Sequence, residues 1–260
     1  MKVSIVIPAY NEEKRIDKTL ERYLIFFKTL KRNGLLDFEI IVVLNGCKDN
    51  TLFIVEGYRR YHEEMICLNF RKAGKGFAIL EGFKEALKGN SELIGFVDAD
   101  MATPPEAFYD LVENMGDSDG VIASRWLKES KVTKRTLIRK ITSKGFNILA
   151  RTILFLKFSD TQCGAKLFKR EVIEKIAREV GVTEWAFDVD LLYRIKKRGF
   201  KVKEIPTVWE DKRGSGLNLT RVPFRMFSAI IRLRLLHSPF EFIVRAYDKL
   251  PERIKVHHKL

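Results

Sequence analysis

Residues 94–103 read IGFVDADMAT, an apolar run that stops at two aspartates, Asp98 and Asp100, with one alanine between them. In a pleated strand, residues two apart face the same way and lie close together. Two carboxylates so placed repel unless a cation sits with them. Open α/β sheets bind ligands at the carboxyl ends of their strands, so a strand ending in DAD predicts both a fold and a site.

Upstream, the chain repeats the same grammar. Val3–Ile7, Phe38–Leu44, Met65–Phe70, Leu93–Val97 and Val121–Ser124 read as strands. Between them lie helical spacings over Glu12–Arg32, Thr51–Glu64 and Phe77–Leu87, and a helix opened by Pro104-Pro105. Alternating strands and helices predict a mainly parallel α/β sheet with flanking helices. Three further strand ends carry distinctive residues: Pro8-Ala9-Tyr10-Asn11-Glu12, Asn45-Gly46 and Gly74-Lys75-Gly76. Beyond Arg125, a basic stretch (Lys128–Lys144), an apolar one (Gly145–Phe158), a helical one (Glu184–Arg198) and an extended one (Val202–Val208) follow.

The formal net charge of +14 calls for an anionic partner. No helix-turn-helix and no RNA-binding aromatic signature accompanies it, which argues against nucleic acid. Three scattered cysteines (Cys47, Cys67, Cys163) suit reduced thiols and a cytoplasmic setting better than a disulfide framework. No segment approaches the roughly 20 apolar residues of a membrane span. The start, MKVSIVIPAYNEE, is too short an apolar run for a signal peptide.

Hard oxygen ligands such as Asp98 and Asp100 suit Mg²⁺ or Mn²⁺, with substrate phosphates completing the shell. An isolated DAD is also compatible with a helix N-cap and a turn. Gly74-Lys75-Gly76 reads equally as a simple turn or as a lysine and helix amides for a diphosphate. Arg139 and Ser143 stand four apart and share a helical face, and arginine forks match phosphate oxygens.

IVIPAYNEE, LNGCKDNT, the Gly-Lys-Gly loop and FVDAD together resemble a family 2 glycosyltransferase of the GT-A (Rossmann-like) fold. SRWLKES, RKITSKGFNILAR, DTQCGAKLF and WAFDVDLLYRIKKRG resemble, within it, the polyprenyl-phosphate hexosyltransferases. The dolichyl-phosphate β-glucosyltransferases are the nearest group and the mannosyl enzymes near relatives. The resemblance implies an inverting transferase that moves a hexose, glucose from UDP-glucose, to a dolichyl or polyprenyl phosphate. A GDP-mannose donor, or another lipid or glycan acceptor, is the alternative.

The resemblance also implies roles by position. Pro8, Ala9, Tyr10 and Glu12 would line the nucleotide pocket, with Asn45 near the base. Lys75, Asp98, Ala99 and Asp100 would meet the sugar nucleotide, with Asp98 and Asp100 on the metal. Arg125, Arg139 and Ser143 would grip the acceptor phosphate. Gln162 and Asp188 would lie near sugar or acceptor, although Asp188 also reads as an N-cap. The family's common Asp-Asp-Gly-Ser is Leu44-Asn45-Gly46-Cys47 here, and Ala102 replaces the glutamine of mannosyl relatives. The first change loosens the link to a particular base, although Asn45 can still hydrogen-bond a uracil or guanine edge; the second predicts a metal shell poorer in protein ligands and wetter.

Residues 1–125 are thus expected to form the nucleotide-sugar half, 126–215 the acceptor half and 216–260 a basic amphipathic segment. In Pro223–Leu236, Phe224, Phe227, Ile230 and Ile231 share one helical face and Arg221, Arg225 and Arg232 another. With Gly145–Phe158, this predicts peripheral attachment to an anionic surface on the cytoplasmic membrane face. A membrane subunit is the other partner such a face would suit.

Overall fold

A computed structural model describes residues 1–133, 137–180, 186–210 and 222–248, with backbone alone at 137–141, 222–226 and 248. The first strand, β1 (Lys2–Ala9), is buried along nearly its whole length. It pairs in parallel with β2 (Asp37–Asn45), and β2 in turn pairs with β3 (Met65–Phe70). Parallel inner strands are covered on both faces and therefore read as continuous apolar runs, as FEIIVVL does. On the other side of β1 comes β4 (Leu93–Val97), also parallel.

Helix α1 (Ile16–Arg32) buries Ile16, Leu20, Tyr23, Leu24, Phe27 and Leu30, the stripe its spacing predicts. It starts four residues later than the periodicity suggests. Asn11 takes φ +53°, and the Glu12 N–H is claimed by Thr51 Oγ1 at 2.8 Å, so a turn precedes the helix. α2 (Thr51–Arg59) stops short of Glu64. With α4 (Pro105–Glu113), α1 covers one sheet face. There Tyr23, Phe27, Phe38 and Phe108 stack on one another. Each such buried aromatic contributes about 1.5–3 kcal/mol of apolar burial.

Three further strands join the same sheet, two of them from beyond residue 125. β5 (Gly120–Ser124) and β8 (Val202–Pro206) run parallel to each other. Between β4 and β5 lies β7 (Ala165–Lys169), antiparallel to both. The order is therefore β3-β2-β1-β4-β7-β5-β8, and strands from both sides of residue 125 share one sheet. β6 (Lys131–Thr133) and β9 (Val208–Glu210) form a separate parallel pair. The other face is covered by α3 (Lys75–Ala86), α6 (Arg170–Ile176) and α7 (Phe187–Lys197).

Helix α5 (Leu137–Leu154) packs Phe146, Ala150 and Leu154 against Val189 of α7 and against Ile230 and Leu233 of α8 (Val222–Leu236). The apolar stretch 145–158 thus buries one face inside the protein, while Ile148 and Phe155 stay exposed. Within α8, the Arg234 guanidinium lies 5.4 Å from the Phe155 ring. Phe227 and Ile231 are partly exposed, whereas Phe224 and Arg225 lie outside the described side chains and Arg221 outside the described residues. Helix α9 (Glu241–Asp248) follows, with its own Phe242 and Ile243, and Phe240 just before it, exposed. Among the described residues, no helix is long and apolar enough to cross a membrane.

Candidate active site

The carboxyl ends of β1, β2 and β4 and the start of α3 meet at one edge of the sheet. Pro8 and Ala9 are buried, in register with Val43 and Leu44, so they shape the strand end by their backbone. The Ala9 carbonyl accepts from Asn45 Nδ2 at 2.8 Å. Asn45 Oδ1 accepts from the Gly74 N–H at 3.0 Å. Asn45 is buried, and it ties β1 to the loop before α3. That loop needs Gly74, whose φ of +138° lies outside the range of ordinary L-residues.

Tyr10 is exposed and Glu12 half-buried at the mouth of the edge. Arg15 grips Glu12 with two charge-assisted hydrogen bonds of 2.6 and 2.7 Å. Burial pushes the Glu12 carboxyl up, Arg15 opposes this, and the charges of Asp100 and Asp98 add to it. Behind it, Asp49 accepts from Thr51 Oγ1 at 2.5 Å and from the Glu13 N–H at 3.1 Å. Burial pushes the Asp49 carboxyl up, but these hydrogen bonds outweigh it and hold the group low.

Both aspartates lie just past β4, in the loop rather than on the pleat. Neither caps a helix: α4 begins at Pro105 with Pro104 as its N-cap. Lys75 Nζ meets Asp98 Oδ1 at 2.5 Å. Although burial works against the Lys75 ammonium, the charges of Asp98 and Asp188 overcome it and hold the group protonated. The Asp98 N–H donates to the Gly164 carbonyl at 3.1 Å. A Cβ at Gly164 would come within 1.8 Å of Asp98 Oδ2, so only glycine fits there.

Asp100 Oδ1 accepts from the Ala102 N–H at 3.0 Å, in a turn where Met101 takes φ +61°. Burial, then the neighbouring Asp98 charge, raises the Asp100 carboxyl. Ala99 departs from its expected place at the substrate. Its side chain lies in the core and its carbonyl accepts from Thr19 Oγ1 at 2.7 Å. Tyr23 Oη anchors the same loop through the Thr103 carbonyl at 3.0 Å. Among the described residues, no group of three or more His, Cys, Asp or Glu is placed to hold a metal; Asp98 and Asp100 are a pair.

The acceptor-side arginine has a different partner from the one expected. Arg125 closes on Asp160 at 2.7 and 2.9 Å, and its guanidinium also lies 5.2 Å from the Trp209 ring. Asp160 is fully buried, and although burial raises its carboxyl, Arg125 more than reverses this. Arg125 therefore fixes the DTQCG loop through its Nε and Nη2.

Arg139 stands in α5, but its side chain lies outside the described residues. One turn on, Ser143 Oγ is buried without a hydrogen-bond partner. A further turn on, Asn147 Oδ1 accepts from the Thr161 N–H at 3.0 Å, which leaves Asn147 Nδ2 buried without one. Gln162 follows on the same loop, half-buried, its N–H on Asp160 Oδ1 at 3.2 Å. Asp188 is no N-cap, since Ala186 holds that place. It pairs at 2.5 Å with Lys166, which is fully buried and also donates to the Cys163 carbonyl at 2.6 Å.

The family model for glycosyl transferase family 2 matches residues 4–177. The chain belongs to that family. The family 2 chain is 33% identical over 242 residues to glycosyltransferase AglD of Haloferax volcanii, covering 89% of itself but 37% of that protein's length. It is 34% identical over 245 residues to the dolichyl-phosphate beta-glucosyltransferase ALG5D of Trichomonas vaginalis, covering 90% of itself and 73% of that relative. The glucosyl-3-phosphoglycerate synthase of Mycobacterium tuberculosis, solved with Mn²⁺, UDP and phosphoglyceric acid, superposes with a TM-score of 0.64 at 16% identity. That match covers 90% of this chain and 78% of the other and gives the glycosyltransferase the GT-A fold.

Four residues that pack around this candidate site escape a reading of the sequence: Arg15, Asp160, Gly164 and Lys166. Arg15 carried one signal, its spacing of three from Glu12 at a helix start. Lys166 carried another, a lone cation inside the apolar strand AKLF.

Proposed function

We propose that the chain is an inverting hexosyltransferase that moves glucose from UDP-glucose to a dolichyl or polyprenyl phosphate. Supporting this, relatives named dolichyl-phosphate beta-glucosyltransferase, from Trichomonas to Homo sapiens, are 30–34% identical over 84–90% of the chain. The observation that carries the reading is the carboxylate pair Asp98 and Asp100 at the sheet's carboxyl edge, bordered by the Lys75 cation and the Glu12–Arg15 pair.

A phosphate monoester needs little activation, because its second pKa near ~6 leaves it largely dianionic at neutral pH. Its oxygen attacks the anomeric carbon as the bond to the departing UDP breaks, and the electron pair leaves on the diphosphate. No general base is required. That suits a site whose Asp188 is held by Lys166 and whose two described histidines pack against Tyr58 and Tyr193. Ser143 Oγ, Asn147 Nδ2 and the Arg139 position supply donors along one face of α5 for the acceptor side.

The hard, half-buried oxygens of Asp98 and Asp100 fit a Mg²⁺ or Mn²⁺ ion, since burial and mutual repulsion raise Asp100 and a divalent cation relieves both. When bound there, such an ion neutralises charge developing on the leaving diphosphate. The acceptor's bilayer suggests peripheral attachment to an anionic membrane surface on its cytoplasmic face. Exposed Phe240, Phe242 and Ile243 beside Arg245 support this. Flotation with anionic liposomes that leaves all the protein in solution counts against attachment.

The test is turnover of labelled UDP-glucose and GDP-mannose with a polyprenyl phosphate, with and without Mn²⁺, beside Asp100→Asn. Metal-dependent lipid labelling from UDP-glucose, lost in the variant, is the expected result. Labelling from GDP-mannose alone transfers the assignment to a mannosyl enzyme; none from either donor in folded protein overturns it.

A further inference from the structure

We propose that Lys75 is a built-in counter-cation that competes with the divalent metal for Asp98, so that metal and nucleotide diphosphate enter the site together. The proposal rests on the reading of Asp98 and Asp100 as a metal and diphosphate edge.

One oxygen of Asp98 is paired and the other is packed against Gly164. Oδ1 meets the Lys75 ammonium at 2.5 Å, and Oδ2 lies where a Gly164 Cβ would come within 1.8 Å. An ion ligated by Asp98 Oδ1 would stand where the ammonium stands. Cations in contact repel strongly in a half-desolvated setting, so one must leave. The neighbouring Arg15 directs its two hydrogen bonds to Glu12 and not to Asp98.

Lys75 is built to move. Its side chain is 39% exposed, that of Asp98 is 33% exposed, and the ammonium sits on a flexible four-carbon stem. It occupies the first position of α3, so a diphosphate arriving there finds the helix N-terminus as well as the released ammonium. The diphosphate thus gives Lys75 a replacement anion at the moment the metal takes Asp98. The two ligands then assist each other, and reciprocally so. The Lys166–Asp188 pair, with its lysine fully buried, has no such freedom.

The experiment is Mn²⁺ binding to the whole protein, read from the free-ion electron paramagnetic resonance signal, with and without UDP. It compares the unaltered chain with Lys75→Met and Lys75→Gln, each checked for fold by circular dichroism. Without UDP, both variants should bind Mn²⁺ at least about tenfold more tightly, as removal of a contacting like charge predicts. UDP should raise Mn²⁺ affinity by a larger factor in the unaltered chain than in the variants. Adding Asp100→Asn to Lys75→Met should abolish the gain.

Unchanged or weaker Mn²⁺ binding in both variants overturns the proposal and leaves the reading of the site standing. So does a gain that survives Asp100→Asn. No saturable Mn²⁺ binding in any of these proteins, with or without UDP, overturns the site reading and this proposal with it.

Discussion

Lys75–Asp98 and Lys166–Asp188 are the same chemical pair at the same 2.5 Å separation, the first joining α3 to the loop after β4 and the second joining β7 to α7. They differ in what surrounds them. In the first, both side chains are about one-third exposed; in the second, the lysine is fully buried and the aspartate 16% exposed. An exposed pair adds little to stability because water and salt compete for each charge. A buried pair cannot be broken cheaply, since the surviving charge has lost its solvent. The difference separates a pair that can exchange partners from one that holds β7 and α7 together. The Arg125–Asp160 fork belongs with the second kind.

Asp160→Ala should give the largest effect. It strands the Arg125 guanidinium in the interior and should cost about 3–5 kcal/mol in urea unfolding. Lys166→Met should cost somewhat less, about 2–3 kcal/mol, because Asp188 keeps some solvent. The double variant Lys166→Met/Asp188→Leu should recover most of that loss. A double-mutant cycle that shows the two losses simply adding would deny that the pair acts as a unit.

Gly164→Ala drives a methyl group into Asp98 and should cost about 1–3 kcal/mol of stability. Turnover should be lost even at temperatures where the variant is folded, because the clash falls on the carboxylate itself. Lys75→Met should be the mildest, within about 0.5 kcal/mol in the same urea assay. If it destabilises the protein as much as Lys166→Met does, the contrast between the two pairs fails.

The same contrast explains what could be read before any coordinates. β1, β2, β3, β4 and β5 were legible because strands covered on both faces are written as unbroken apolar runs. β7 was not, for Lys166 interrupts AKLFK, and its partner Asp188 lies on a helix 22 residues further on. Asp98 and Asp100 were legible as a pair because they end a readable strand. Their surroundings were not: Gly164 and Lys75 reach Asp98 only through the sheet order. Arg125 shows the limit most plainly. Its residue type suited a phosphate, and only tertiary structure brings Asp160 up against it.

The antiparallel strand at the centre of the sheet bears on how the chain comes to be folded. β4 is buried between β1 on one side and β7 on the other, and Val97 finds its partner Ala165 about 70 residues later, a long-range pairing of the slow-forming kind. On a ribosome, the first half can therefore collapse around β1 while β4 presents an open hydrogen-bonding edge. Until β7 seals that edge, Gly164 is not against Asp98 and the two-aspartate loop has no fixed floor. The site is thus completed in synthesis only when the chain has passed Lys169, and the nascent molecule carries an adhesive strand until then.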